Sequence, residues 1–265
     1  MHDLRHDNPL TISKQLTTGW WDEGDAPKLD QDARASKSRK AECTVNRIGI
    51  LGAGRVGTAI ARSAIAAGYD VAIAASGPAA DIELLVDVIA PGAQAMSAED
   101  AAAHGEIVVV AVPLHKFRSI PSTLLDGKVV VDTMNHWEPT DGRLADFDAA
   151  PHGSSTIVQG HFTGAQVVKT LNHIGYHFLE VDARPDGDPA RRALGIAGDD
   201  DAAVRAVAEM IDRLGFDPVV TGALRTGTAF QPGTPIFGGH HAAADLAAEA
   251  EQHLGTSSLT GATRA

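Results

Sequence analysis

The chain is 265 residues long, 44% apolar and only 5% aromatic, enough for one large domain or two small ones around a sizeable core. Its formal net charge of −12 excludes a general nucleic-acid role and offers no attraction to an anionic membrane surface. One cysteine, Cys43, excludes an internal disulfide. It fits a reducing cytosol, and its polar setting lacks a partner base for a nucleophile. No apolar run approaches the ~20 residues that span a bilayer. Met1 to Arg5 lacks the apolar stretch of a signal peptide, so a cytoplasmic protein is expected.

Residues 1–45 differ from the rest. Asp22, Glu23, Asp25, Asp30 and Asp32 precede Arg34, Lys37, Arg39 and Lys40, and no helical or strand period runs through them. A mobile arm is predicted. Trp20-Trp21 inside it either docks on the body or a second subunit, or belongs to a leader or tail.

The body opens with a short apolar strand, Arg47 to Leu51, then an Ala- and Ile-rich helix from Thr58 to Ala67 stopped by Gly68. A second strand runs from Asp70 to Ala75. A helix from Ala80 to Ile89 ends at Pro91-Gly92. A short strand, Ala93 to Met96, leads to Ser97, which caps a helix with Asp100 three positions on. Strands 106–112 and 128–132 are apolar on both faces, which indicates a parallel sheet covered on both sides. A polar loop, 138–155, follows. Strands are predicted at 166–169, 193–197 and 217–221, and helices at 200–214 and 242–254. The fold class is therefore α/β. A Rossmann-type doubly wound parallel sheet spans 46–165, and a smaller α/β C-terminal extension spans 166–265.

Gly52-Ala53-Gly54-Arg55-Val56-Gly57 fits the GxGxxG fingerprint in its proper context, after a strand and opening a helix. Gly52 permits the tight turn, Gly54 lets backbone approach a pyrophosphate, and Gly57 lets the helix pack on the sheet. The helix N-terminus adds free N–H groups and a positive dipole end. The second strand ends in Ala74-Ala75-Ser76-Gly77-Pro78 without the acid that NAD enzymes place there. Ser76 can donate to a 2′-phosphate and Arg55 adds positive charge, so NADP is the expected cofactor.

These residues resemble the F420-dependent NADP oxidoreductases (NADPH:F420 reductases). The resemblance rests on Ile48 to Gly57, Ala111-Val112-Pro113, Asp132-Thr133-Met134-Asn135, Val168 to Ile174 and Gly198-Asp199-Asp200, in that order over about residues 46–237. Asp132 to Trp137 followed by Asp141-Gly142 resembles a divergent bacterial branch. Family members carry Arg after the Ser that ends the second strand; Gly77 stands there in this chain. The resemblance implies direct hydride transfer between stacked nicotinamide and deazaflavin rings, with coenzyme F420 as a possible co-substrate. Val112 and Pro113 would pass the cofactor backbone toward the nicotinamide. Asn172, His173 and Ile174 would lie beside the reacting rings, with Ile174 against the nicotinamide face and His173 orienting or protonating the acceptor.

Bland readings stand beside these. Asn135, just past the fifth strand, either bonds the carboxamide or is a turn residue. His173 is either functional or a core or solvent-facing histidine. His115, His136, His161 and His177 lack metal-site spacing, so no metal is expected. The expected partners are a small-molecule redox acceptor and a second copy in a homodimer, with no nucleic acid and no membrane. Two alternatives remain: a non-catalytic NADP(H) sensor, and a dehydrogenase of small hydroxy acids or imines. The short, mixed segment after residue 165 disfavours the second, because such enzymes carry a long helical C-terminal domain.

Overall fold

A computed structural model describes residues 45–148 and 150–262. The arm expected over residues 1–45, with Trp20, Trp21 and Cys43, lies outside them save for Val45. In chain order, β1 (Arg47–Leu51) leads through the glycine-rich turn into α1 (Arg55–Ala66), then β2 (Asp70–Ala74), α2 (Glu83–Ile89), β3 (Gln94–Ala95), α3 (Ala98–His104), β4 (Ile107–Val110) and β5 (Val129–Asp132). Short helices α4 (Glu138–Asp141) and α5 (Ala145–Asp148) precede α6 (Ser154–His161) and β6 (Gln166–Lys169). The chain finishes with α7 (Phe178–Val181), β7 (Ala193–Gly198), α8 (Asp201–Arg213), β8 (Asp217–Gly222) and α9 (Ala243–Ala262).

The eight strands of the described residues form one sheet, ordered β3-β2-β1-β4-β5-β6-β7-β8. Strands β1 to β6 are parallel; β7 runs antiparallel to β6, and β8 parallel to β7. The chain reverses direction across the sheet between β1 and β4. That switch point is where an open α/β sheet opens a crevice at its strand C-termini. Alternate strand residues feed two apolar clusters, one per face. Ile48, Ile50, Ile107 and Val109 pack with α1 and α8; Val108, Val110 and Val130 pack with Ala101, Phe117, Val158 and Phe162.

Local chemistry explains the helices. Ser97 Oγ accepts from the Asp100 N–H at 3.0 Å, and Asp200 caps α8 by accepting from the Ala203 N–H at 2.8 Å. Along α8, Ala203, Val204, Val207, Met210 and Ile211 are buried at helical spacing.

Several expectations need correction. Helix α1 starts at Arg55, in the glycine loop itself, because Gly54 is its N-cap. The helix expected from Ala80 splits into a 3-10 turn, Ala79–Asp81, and α2. The loop expected over 138–155 holds α4 and α5, and α6 begins inside its end, because Phe147 and Val158 find apolar partners no local period announces. The terminal helix runs to Ala262. The parallel sheet expected over 46–165 is present, and the C-terminal extension adds β6 in parallel and then β7 and β8 in the reverse direction. Among the described residues no helix is long and apolar enough to cross a membrane.

Candidate functional site

The C-terminal ends of β1, β4 and β5 open onto a cavity of about 480 Å³ lined by Gly54, Arg55, Val56, Ala111 to Leu114, Thr133 to Asn135, Trp137, Asp141 and Tyr176. Its floor is the glycine loop. Gly52 holds φ +125°, and a Cβ there would lie 2.4 Å from the Ala111 carbonyl oxygen. A side chain is excluded on both counts. A Cβ on Gly57 would lie 1.8 Å from the Gly52 carbonyl oxygen, so α1 packs against the turn only because residue 57 has none. Gly54 is different: a Cβ there would meet nothing within 4 Å. The space above it is open, at the N-terminus of a 12-residue helix with no acid in its first turn. The loop is shaped to receive an anion against backbone N–H groups.

The opposite end is assembled from distant segments. Asn135 Nδ2 donates to the Asn172 carbonyl oxygen at 2.7 Å, and Asn172 Nδ2 donates to Asn135 Oδ1 at 2.9 Å and to the Phe230 carbonyl oxygen at 2.8 Å. The Asn135 amide is thus clamped, with one N–H and one lone pair to spare at the cavity wall. Asn172 takes its place through Leu171, whose φ of +62° is a left-handed conformation that only surrounding packing can hold.

Beneath lies a buried ionic cluster. Asp132 Oδ2 accepts from Lys169 Nζ at 3.3 Å and from Ser155 Oγ at 2.7 Å, and Oδ1 accepts from the Met134 N–H at 2.9 Å. Lys169 Nζ also donates to the Met134 carbonyl oxygen. Both charged side chains are fully buried. Burial lowers the Lys169 pKa against the opposing pull of Asp132. The cluster ties the ends of β5 and β6 to the backbone that lines the cavity.

The structure brings together Gly54, Arg55, Val56, Val112, Pro113 and Asn135 on the cavity wall. Gly52, Ala53 and Gly57 shape the loop, and Ser76 lies exposed past the end of β2. Asn172 sits one layer back, holding Asn135. His173 and Ile174 do not line the cavity. Ile174 is buried in the apolar core, and Tyr176 takes the wall position nearby.

His173 is a core histidine: Nε2 accepts from the Gly195 N–H at 3.0 Å, Nδ1 lies 3.3 Å from Asn172 Oδ1, and the ring packs 5.0 Å from Phe230. Burial, and then the charges of Arg192, Lys169 and His241, push its pKa down to about 3. A neutral ring that accepts at Nε2 carries its proton on Nδ1, which faces Asn172 Oδ1 in the core and not the cavity.

Sequence reasoning assigned no role to His115, Asp141, Trp137, Lys169 or Tyr176. Asp141 Oδ1 accepts from His115 Nδ1 at 2.8 Å and from its backbone N–H at 3.2 Å, while Oδ2 accepts from the Trp137 N–H at 2.9 Å. Burial would raise the Asp141 pKa, but these hydrogen bonds outweigh it and leave it below the ordinary carboxylate value. The carboxylate straps the loop after β4 to the segment after β5. Nothing local in the sequence signals a pair 26 residues apart. Among the described residues no group of three or more His, Cys, Asp or Glu is placed to hold a metal ion.

Residues 47–136, the span of β1 to β5 and the cavity floor, match the family model described as NADP oxidoreductase, coenzyme F420-dependent. A solved structure of a hypothetical protein from Sinorhizobium meliloti is 30% identical, covers 74% of this chain and 95% of its own, and superposes with a TM-score of 0.65. The chain belongs to this family. A second structure, provisionally described as an F420-dependent NADP-reductase from Arthrobacter sp. FB24, is 26% identical over 69% of this chain and 86% of its own, with a TM-score of 0.57. The Escherichia coli K12 protein YjhV is 38% identical over 53 residues, a match of 20% of this chain and 39% of that protein. Family membership makes the chain one of the NAD(P)-dependent oxidoreductases; its acceptor is a separate question.

Proposed function

We propose that the chain is an NADP(H)-dependent oxidoreductase that passes a hydride directly between the nicotinamide and a planar redox acceptor such as coenzyme F420. The observation that carries this reading is the open space above Gly54, at the N-terminus of α1, continuous with one cavity at the strand C-termini. The cofactor supplies the hydride: NADPH and one proton reduce the acceptor and leave NADP⁺.

The chain's own residues bind, orient and exclude water. In this reading residues 46–165 hold the dinucleotide, with pyrophosphate against Gly54 to Val56, the chain of the cofactor passing Val112 and Pro113, and Ser76 and Arg55 serving the 2′-phosphate. Asn135 offers its spare amide N–H and lone pair to a carboxamide, held in place by Asn172. Residues 166–265 complete the acceptor side. Trp137 and Tyr176, both on the wall, give a planar ring apolar faces to pack on. His173 acts through Asn172 rather than by giving up a proton, and Ile174 backs the wall from the core. The direct route uses no protein nucleophile and no metal. A cytoplasmic homodimer with a small-molecule acceptor completes the reading.

The test is anaerobic spectroscopy of NADPH oxidation with F420, free flavin and common quinones, using NADPH deuterated on each face of C4. Label delivered to one acceptor from one face only is expected. Label lost to solvent with F420, whose deazaflavin ring would keep a transferred hydride on carbon, or activity abolished by chelators, would sink direct transfer. Tight NADPH binding with no turnover of any acceptor would favour a non-catalytic sensor.

A further inference from the structure

A Rossmann-type site reads the cofactor's ribose near the end of β2, where NAD enzymes place a carboxylate that accepts from the 2′-hydroxyl. Strand β2 offers none: it ends at Ala74 and continues as Ala75, Ser76 and Gly77. A carboxylate reaches the place from further along the chain. Pro78 starts a 3-10 turn, Ala79–Asp81, in which the Asp81 N–H donates to the Pro78 carbonyl at 3.1 Å. That turn folds the Asp81 side chain back over Gly77. Its Oδ2 lies 3.0 Å, and its Cγ 4.0 Å, from where a Cβ on residue 77 would stand. Asp81 therefore lies against the space in which a side chain at 77 would begin, and a Cβ there would crowd it. Ser76 and Asp81 are both exposed, so both are open to a ligand at the strand end.

We propose that Asp81 reads the ribose 2′ position, accepting from a free 2′-hydroxyl and repelling a 2′-phosphate, so that the site takes NADH as well as NADPH. The proposal rests on the reading that the cavity holds a nicotinamide dinucleotide. Ser76 and Arg55 serve the phosphate; Asp81 serves the hydroxyl. A negative charge beside a dianionic phosphate costs affinity at this range, since exposed charges interact within about 8 Å at physiological salt. The same carboxylate makes a charge-assisted hydrogen bond to a hydroxyl. The two ribose forms thus meet opposite effects from one side chain.

The experiment is titration of the full chain with NADPH and with NADH, followed by intrinsic fluorescence and calorimetry and needing no acceptor. The wild-type dissociation constants for the two should lie within about tenfold of each other. Asp81→Asn, an exposed and near-isosteric change, should tighten NADPH and weaken NADH, moving their ratio about tenfold toward NADPH, which is ~1.4 kcal/mol of discrimination. Gly77→Ala approaches the question independently. Its Cβ must push the Asp81 carboxylate aside, and the ratio should move the same way by a few-fold. A ratio unchanged in both variants, in a chain that binds both dinucleotides, overturns this proposal and leaves the functional reading standing. A wild-type preference for NADPH above about 100-fold overturns it as well. A wild-type chain that binds neither dinucleotide overturns both.

Discussion

The two ends of the cavity are built in opposite ways. The floor is one continuous hexapeptide, Gly52 to Gly57, whose geometry follows from missing side chains. The opposite end is a composite of Asn135, Asn172, Asp132, Lys169 and Phe230, joined across 37 and 58 residues of sequence by hydrogen bonds and one buried ion pair. The first construction tolerates little change but can be read locally. The second depends on every contributing element arriving at once, and none of them announces the others. Damage at Gly54, the one floor glycine with open space above it, should therefore strike binding and spare folding, while damage to the composite should strike folding or turnover and spare binding.

The sharpest test of that contrast is Lys169→Met. It strands a buried carboxylate at Asp132 and should destabilise the fold by ~3–5 kcal/mol in chemical denaturation, with much of the loss recovered in Lys169→Met/Asp132→Asn. Recovery that never comes would mean Lys169 matters by its packing and not its charge. Gly54→Val comes next. The open space above residue 54 should let the variant fold with an unchanged melting temperature, yet the branched side chain should fill the phosphate position. NADPH affinity should fall by on the order of 100-fold in a direct titration. Full affinity in a folded Gly54→Val variant would remove the basis of the dinucleotide reading.

At the composite end, Asn172→Ala frees the Asn135 amide. Since a misplacement of about 1 Å can cost on the order of 100-fold, kcat should drop by roughly 10- to 100-fold while the NADPH dissociation constant moves little. Equal losses in both would place Asn135 in binding alone.

The smallest effect is a pH dependence. His173 titrates at about 3 when folded, below its ordinary value near 6.5, so the unfolded chain binds more protons between those limits. Its contribution to stability is present above about 6.5 and is lost as pH falls toward 3. Denaturant midpoints measured from pH 7.5 down to 4.5 should decline, and His173→Gln should flatten that decline. An equally steep decline in the variant would assign it to other groups.

This asymmetry also explains what the sequence could tell. Strands β1, β2, β5 and β6 and helices α3 and α8 were readable because their signals are local: apolar runs, Ser97 as a cap, glycine at the turn. The floor was readable for the same reason. His173 was not, because only the packing of Phe230 and the backbone of Gly195, 22 residues on, make it a core acceptor rather than an acid. The His115–Asp141 strap and the reach of Asp81 over Gly77 were invisible for the same cause: each depends on a turn whose direction the residues around it do not state. The reversal of β7 and β8 belongs here too. Their apolar pattern marks them as strands but carries no information on polarity.

The borders of the sheet have a consequence for the protein's life in a crowded solution. At one border β3 is only two residues long; at the other, β8 carries Pro218, which has no N–H to offer. Short edges and edge prolines are devices that deny an incoming strand a ladder. Neither border of the described sheet is a template for fibre-like growth by strand addition, and contact between copies is left to the surfaces that side chains make.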